Sequence, residues 1–349
     1  MGSEMSLSDR DRTSPIYIIA EMACSHEGKP SLARTIIDAA GTAQADAIQF
    51  QVWSLTDMVV PHHPDYPMLT RIELTREAWA DLFKYSRERY PQMQIIACVY
   101  ERGSVDFCES CRADAYKIHS ADLSNPYLIE HVARTGKRID LSIGASTVTE
   151  IQTAIEWIKA ARTDTLPVSS NIWLMYGYQG FPTPPEAINL NYMMKLRKLF
   201  ELPVGYQDHS GGDSGAAFWL PALAVGTGAE ILEKHITHDR SFKGIDHEAA
   251  LNPDEFVRFV SMVRELESAM GCSTPKPFSP EEVKYRKYSK KSLVAGRALA
   301  KGTIITAEDL RFMRAESLGL PPDQAGRLIG RTTRRTIPAF HLITEDDVS

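Results

Sequence analysis

The 349-residue sequence has no apolar run near the roughly 18 residues that cross a bilayer, so no membrane association is expected. Positive charge is in deficit: 39 Lys and Arg stand against 45 Asp and Glu, a net charge of −6. A protein that holds nucleic acid through phosphate contacts needs a basic face, so no nucleic-acid partner is expected either. Cysteines number five, and the single C-x-x-C, Cys108 and Cys111, has no second pair to complete a structural zinc site. They read as reduced thiols of a cytoplasmic protein. The first 14 residues, MGSEMSLSDRDRTS, lack the apolar centre of a secretory signal and read as a disordered leader. A serine at the sixth position leaves a myristoylation pattern at Gly2 with no second membrane signal beside it. No internal repeat or low-complexity tract is evident.

What the sequence does have is a rhythm. Short apolar, β-branched runs recur at 16–20 (IYIIA), 47–50 (AIQF), 95–99 (IIACV), 115–118 (AYKI), 139–143 (IDLSI), 172–175 (IWLM), 204–207 (VGYQ) and 231–234 (ILEK). Between them lie helical patterns. Leu32, Ile36, Ala40 and Ala43 recur near a period of 3.6, with Ser31 placed to cap. Thr75 precedes EAWADLFKYSRERY, Asn125-Pro126 opens YLIEHVART before Gly136, and Thr147 with Glu150 forms a capping-box pattern. Eight strands alternating with helices over roughly 255 residues predict a (β/α)8 TIM barrel, an α/β fold. An open doubly wound sheet is disfavoured, since no glycine-rich phosphate fingerprint follows the first strand. At Cys272 the texture changes to CSTPKPFSPEEVKYRKY, rich in proline and charge, which reads as a linker. The division expected is leader 1–14, barrel 15–271, linker 272–288 and a small α+β module 289–349. In that module SLVAGRAL reads as a strand, Lys301-Gly302 as a turn and Thr306 as the cap of a short helix.

Barrel enzymes carry their chemistry at the C-terminal ends of the strands. There the sequence places Glu21, with His26 and Glu27 in its loop, then Gln49 and Gln51, then Lys117, Ser120 and Asp122. Ser142, Asp208-His209, Lys234-His235 and Asp246-His247 follow. Two histidines on neighbouring strand ends can share one divalent ion and leave positions open for substrate oxygens. Taken singly, each is as readily a hydrogen-bonded structural histidine.

The segments IIAEMACSHEG, ADAIQFQVW, AYKIHSAD, FPTP, DHSGG, ILEKHIT and GIDHEAALNPDEF, in this order, resemble the sialic acid synthase family. The tail SLVAGRALAKGTIITAEDLRFMRA with LIGRTTRRTI resembles its antifreeze-like (SAF) domain. The resemblance implies condensation of phosphoenolpyruvate with an open-chain N-acylated amino sugar, giving a nonulosonic acid and phosphate. It implies a divalent metal, typically Mn2+ with Mg2+ or another ion possible, and a homodimer with swapped SAF domains. On it, His209 and His235 are the metal ligands, and Glu21, Gln51, Asp122 and Asp246 the polar residues around metal and substrate. Lys117, Ser120 and Ser142 match donor-binding positions, and Phe181 and Arg314 lie on the acceptor side, Arg314 reaching a partner's site.

Four donor positions depart from the family pattern. Gln49 stands for a lysine, Cys98 lies in ACVY where the family has S-T-P-F, Gln179 replaces an asparagine, and Gln207 replaces a serine. Two other readings compete: a relative with a different enol or keto donor, or another aldol or lyase reaction, and a silent binding homologue. Retention of His209, His235, Glu21 and Asp246 argues against the silent one.

Overall fold

The computed structural model describes residues 15–162, 171–272 and 274–349; the leader read at 1–14 lies outside them. Eight parallel strands close into a barrel in sequence order: β1 (Tyr17–Glu21), β2 (Ala47–Val52), β3 (Gln94–Val99), β4 (Ala115–Ile118), β5 (Arg138–Ser142), β6 (Ile172–Tyr176), β7 (Val204–Asp208) and β8 (Ile231–His235). The expected (β/α)8 architecture is present, each strand within two residues of its apolar run. A helix follows each strand: α1 (Pro30–Thr42), α2 (Arg76–Arg89), α3 (Arg102–Ser110), α4 (Pro126–Ala133), α5 (Val148–Ala161), α6 (Leu190–Phe200), α7 (Ala216–Thr227) and α8 (Pro253–Met270).

Thr75 caps α2 by accepting from the Ala78 N–H, Asn125 caps α4 from Leu128, and Thr147 with Glu150 forms a complete capping box on α5. Ser31 does not cap α1. Lys29 is the capping residue and Pro30 takes the first helical position, where its missing N–H costs nothing, so the helix starts before the serine.

Strand alternation sorts the barrel interior into layers. At the N-terminal end Arg138 pairs with Asp140 and lies over the Trp173 ring, beside Tyr17. Above it, Ile19, Ala47, Ile96, Ala115, Met175 and Ile231 form an apolar plug. One alternation further along, the interior presents Glu21, Gln49, Cys98, Lys117, Ser142, Gln207 and Glu233, all buried. Charged and amide groups are seldom buried without a partner or a task. The outer faces of the strands pack against the helices in one large core.

The chain divides into two compact units, residues 1–273 and 274–349. Within the stretch read as a linker lies a helix, α9 (Pro280–Ser289). Its Ser279 and Glu282 form a capping box behind Pro280, a start signal that outweighs the proline-rich composition around it. The second unit has a small core of its own, including Leu293, Leu299, Ile305, Leu310, Ile337, Ile343 and Val348. Strands β9 (Ser292–Ala295) and β10 (Leu310–Met313) pair antiparallel, and Thr306 caps the short helical turn Ala307–Asp309.

The expectation of no internal repeat is corrected here. Residues 297–310, RALAKGTIITAEDL, and 335–348, RTIPAFHLITEDDV, form the same structure twice. Thr306 and Asp309 make a capping box, and so do Thr344 and Asp347. Asp309 pairs with Arg297, and Asp347 with Arg335. Leu299 and Ile337, equivalent positions, exchange reciprocal backbone hydrogen bonds of 2.8 Å each. Ala295 N–H donates to the His341 carbonyl as Thr333 N–H donates to Thr303, both at 2.9 Å. The unit is built about an approximate twofold axis through the Leu299–Ile337 pair.

Candidate active site

The polar layer of the barrel holds two hydrogen-bonded groups. Lys117 Nζ on β4 lies 2.5 Å from Glu233 Oε1 on β8, with both side chains buried. The same oxygen accepts from Gln207 Nε2 at 3.1 Å. Gln207 Oε1 in turn accepts from the Ser142 hydroxyl at 2.9 Å. On the other side, Glu21 Oε1 accepts from Ala23 N–H at 2.7 Å and from Gln51 Nε2 at 3.0 Å, while Gln51 Oε1 accepts from Tyr100 at 3.2 Å. Cys98 sits between, in register with Gln51 on one strand and Lys117 on the other. Burial, acting with the nearby carboxylates against Lys117, pushes its thiol up to about 12, so it stays protonated and inert.

Burial raises Glu21 most, the Glu233 carboxylate adds to it, and Lys117 opposes; the carboxyl is pushed up to about 8. This has a measurable consequence in metal-free protein. Between its ordinary value of 4.5 and about 8, folded Glu21 holds a proton that the unfolded chain has lost. Stability therefore falls as pH rises through that window. Unfolded histidines, about a quarter protonated at pH 7, add an opposing slope that is common to wild type and Glu21→Gln. Urea unfolding of chelated protein at pH 7 and 8 is expected to show the wild type losing stability relative to Glu21→Gln as pH rises. Parallel pH dependence in wild type and Glu21→Gln would show that Glu21 contributes none of it.

Above the network sit two buried histidines on adjacent strand ends, their ring centroids 5.2 Å apart. Phe181 packs on both, 4.3 Å from His209 and 5.6 Å from His235. Burial holds both imidazoles neutral, and His235 is lowered further by its histidine neighbour. His209 Nδ1 is committed to the Tyr178 carbonyl at 2.7 Å, which leaves Nε2 as its free lone pair. His235 Nδ1 is buried with no partner. Two neutral imidazoles suit a divalent first-row cation. Among the described residues no group of three or more His, Cys, Asp or Glu is arranged to hold a metal, so further positions on an ion here fall to solvent or substrate.

Behind the histidines, Asp208 and Lys234 form a second buried pair at 2.8 Å. Asp208 also accepts from Tyr206 and Ser210, and Lys234 Nζ reaches the Ser210 carbonyl. These residues alternate with Gln207, His209, Glu233 and His235, so the pair ties β7 to β8 on the opposite face from the network.

The remaining expected residues are less tightly joined. Ser120 and Asp122 share a short turn after β4, Asp122 accepting from Asn125 at 3.1 Å. Gln179 follows β6 against Gly144, where a Cβ would stand 2.4 Å from the Gly177 carbonyl oxygen; that backbone contact requires glycine. Asp246 takes a left-handed conformation with φ of 62° after β8, and burial with Glu248 raises it to about 6. Arg314 is exposed in the second unit. Glu233 was not among the expected residues. Its signal was present: in ILEKH it lies two positions before His235, on the same face of the strand.

The NeuB family profile matches residues 36–275, and the SAF domain profile matches 290–349. The chain belongs to the NeuB family. Among its relatives is the N,N'-diacetyllegionaminic acid synthase of Legionella pneumophila, 29% identical over 95% of this chain and 94% of that protein. The human N-acetylneuraminate-9-phosphate synthase is 29% identical over 95% and 92%. An uncharacterized protein of Methanocaldococcus jannaschii is 31% identical over 86% and 85%. Among solved structures, the N-acetylneuraminic acid synthetase of Leptospira borgpetersenii matches with a TM-score of 0.69 at 29% identity, over 78% of this chain and 92% of that one. The NeuB assignment and the SAF tail agree with the expectation from the motifs, and the relatives named as synthases support a biosynthetic enzyme.

Proposed function

We propose that this chain is a nonulosonic acid synthase that bonds the enol carbon of a three-carbon acid to the aldehyde carbon of an open-chain N-acylated amino sugar. The observation that carries this is the pair His209 and His235 above the Glu21–Gln51 and Lys117–Glu233 network, at the strand ends where barrel chemistry resides. His209 and His235 would hold a divalent cation, Mn2+ first among those expected. That ion, when bound, supplies Lewis acidity to the aldehyde oxygen. The chain's own groups do the rest. Phe181 covers the histidines and limits water. Lys117 and Gln207, each with N–H groups beyond the one given to Glu233, present donors to the carboxylate of the three-carbon acid, and Ser142 orients the Gln207 amide. Glu21, held on one oxygen by Gln51 and Ala23, keeps its Oε2 without a partner, available to move a proton.

The test is a mass-spectrometric screen of N-acylated aldoses with Mn2+ and either phosphoenolpyruvate, the donor the family resemblance implies, or pyruvate. A product heavier than the acceptor by a three-carbon acid unit supports the reading; no such product from any pairing overturns it. The reading also includes a homodimer in which Arg314 serves the partner's site, its planar guanidinium suiting a carbonyl or carboxylate of the acceptor. Mixing His235→Ala with Arg314→Ala protein under subunit exchange is expected to restore activity. A monomer by light scattering, or a fully active Arg314→Ala enzyme, would rule that part out.

A further inference from the structure

Three exposed cations line one cavity among the loops that follow the barrel strands. The loop after β1 supplies Lys29, the helical turn Tyr66–Ile72 after β2 supplies Arg71, and the loop after β8 supplies Lys243. The cavity holds about 510 Å³ and has Glu27 on its wall. It shares its apolar side with the catalytic layer. Met68, Ile72 and Ile245 line the cavity and pack in one cluster with Tyr100, whose hydroxyl donates to Gln51. The backbone brings the segments together: at Gly28, with φ of 70°, a Cβ would stand 2.5 Å from the Arg71 carbonyl oxygen.

Charge makes this cavity stand out. The barrel unit, residues 1–273, carries 25 Lys and Arg against 36 Asp and Glu. Elsewhere on it Arg76, Arg197, Arg240 and Arg264 are each tied to a carboxylate. Among the described residues no ion pair or side-chain hydrogen bond holds Lys29, Arg71 or Lys243. The Glu27 carboxylate has its Oε1 buried, 3.5 Å from His247 Nε2, which fastens the β1 loop to the β8 loop. Three cations against one carboxylate leave a net charge of +2. Helix α1 starts beside Lys29 with no acidic residue in its first turn, so its positive end adds to the same field.

We propose that this cavity binds a phosphate monoester at the end of the acceptor opposite its aldehyde, so that the preferred acceptor is a phosphorylated N-acylated amino sugar. This rests on the synthase reading above, which puts the aldehyde at His209 and His235. The far end of an open-chain sugar then points out of the barrel towards the loops. A phosphate monoester carries close to two negative charges at neutral pH, matching the net charge of the cavity. The Arg71 guanidinium offers paired N–H donors to its oxygens, and the two ammonium groups add point charges. A neutral terminal hydroxyl would leave all three cations without a counter-charge. Binding energy gained at the phosphate holds the aldehyde end in place for reaction.

Calorimetric titration with N-acetylmannosamine and N-acetylglucosamine, each free and as its 6-phosphate, tests this with no donor present. At least one 6-phosphate is expected to bind at least about tenfold more tightly than its free sugar. An Arg71→Ala, Lys243→Ala double variant is expected to lose that advantage while keeping its thermal transition, since both positions are exposed. Arg71→Lys with Lys243→Arg is expected to retain most of it, more so at low salt. No advantage for either 6-phosphate, an advantage unchanged in the alanine double variant, or inorganic phosphate bound as tightly as the sugar phosphates would each overturn the proposal. The first of these, with a carbon–carbon product from a free sugar, leaves the synthase reading standing. Binding of a 6-phosphate that depends on Arg71 and Lys243, with no donor converting it, would support the pocket and overturn the synthase reading.

Discussion

His235→Ala protein is expected to lose its divalent ion and its synthase activity while keeping its fold. The chain offers two imidazoles and no third ligand of the His, Cys, Asp or Glu types among the described residues, so removing one halves the protein's share of the coordination. Even residues that only support a metal ligand cost about 10–100-fold in affinity when removed. Loss of a ligand itself is expected to weaken Mn2+ by at least about 100-fold and to lower turnover by on the order of 10²–10³-fold, the scale of losing one electrostatic contact to the transition state. His209→Ala is expected to behave alike, because its Nδ1 is already spent on the Tyr178 carbonyl. Metal content by mass spectrometry and Mn2+ titration check both. Full metal occupancy in the His209→Ala, His235→Ala double variant would show that the ion binds elsewhere.

A second large effect is expected on the opposite face of the same strands. Lys234 is wholly buried and its ammonium pairs with Asp208 at 2.8 Å. Replacing Lys234 with methionine leaves the Asp208 carboxylate buried without its counter-charge, and breaking such a pair costs about 3–5 kcal/mol. Adding Asp208→Asn removes the stranded charge and is expected to recover much of the loss, since the amide oxygen can still accept from the Tyr206 hydroxyl and the Ser210 N–H. Urea denaturation of the single and double variants measures the coupling. A single variant as stable as the wild type would mean that the pair contributes no net stability. The pair lies one residue before each histidine, so Lys234→Met is also expected to weaken Mn2+ by about 10–100-fold, as a positioning residue.

The barrel was legible because each strand is a short β-branched run and each helix carries its own start signals. Thr75, Asn125 and Thr147 name their helices correctly, since a side-chain oxygen three residues before a free N–H is a local interaction that the sequence displays whole. Local reasoning failed where two signals competed. At α1 proline at the first helical position overrode Ser31, and at α9 Ser279-Pro280 opened a helix inside a segment whose composition suggested none. The strand-end residues of the site were legible one at a time, but not their pairings, because Lys117 and Glu233 are distant in sequence and meet only when the barrel closes. Glu233 was hidden by being counted within an apolar run rather than by strand alternation. The repeat in the second unit escaped notice because its halves share few identities beyond Arg297 and Arg335, Ile305 and Ile343, Thr306 and Thr344, and Asp309 and Asp347. The remaining matches are of character alone, apolar at Leu299 and Ile337, Ile304 and Leu342, and Leu310 and Val348, and acidic at Glu308 and Asp346.

That repeat has a consequence for how the small unit came about and how it can be taken apart. Its main hydrogen bonds occur as matched sets, and the Leu299–Ile337 contact on the axis is made by one position with its own counterpart. This is the contact pattern of an isologous dimer, in which one patch is complementary to itself. The unit is thus a homodimer written into one chain, as a duplication and fusion of a half-sized ancestor would leave it. Equivalent substitutions in the two halves remove equivalent contacts, and because Leu299, Ile305 and Leu310 share one core with Ile337, Ile343 and Val348, neither half has a core of its own.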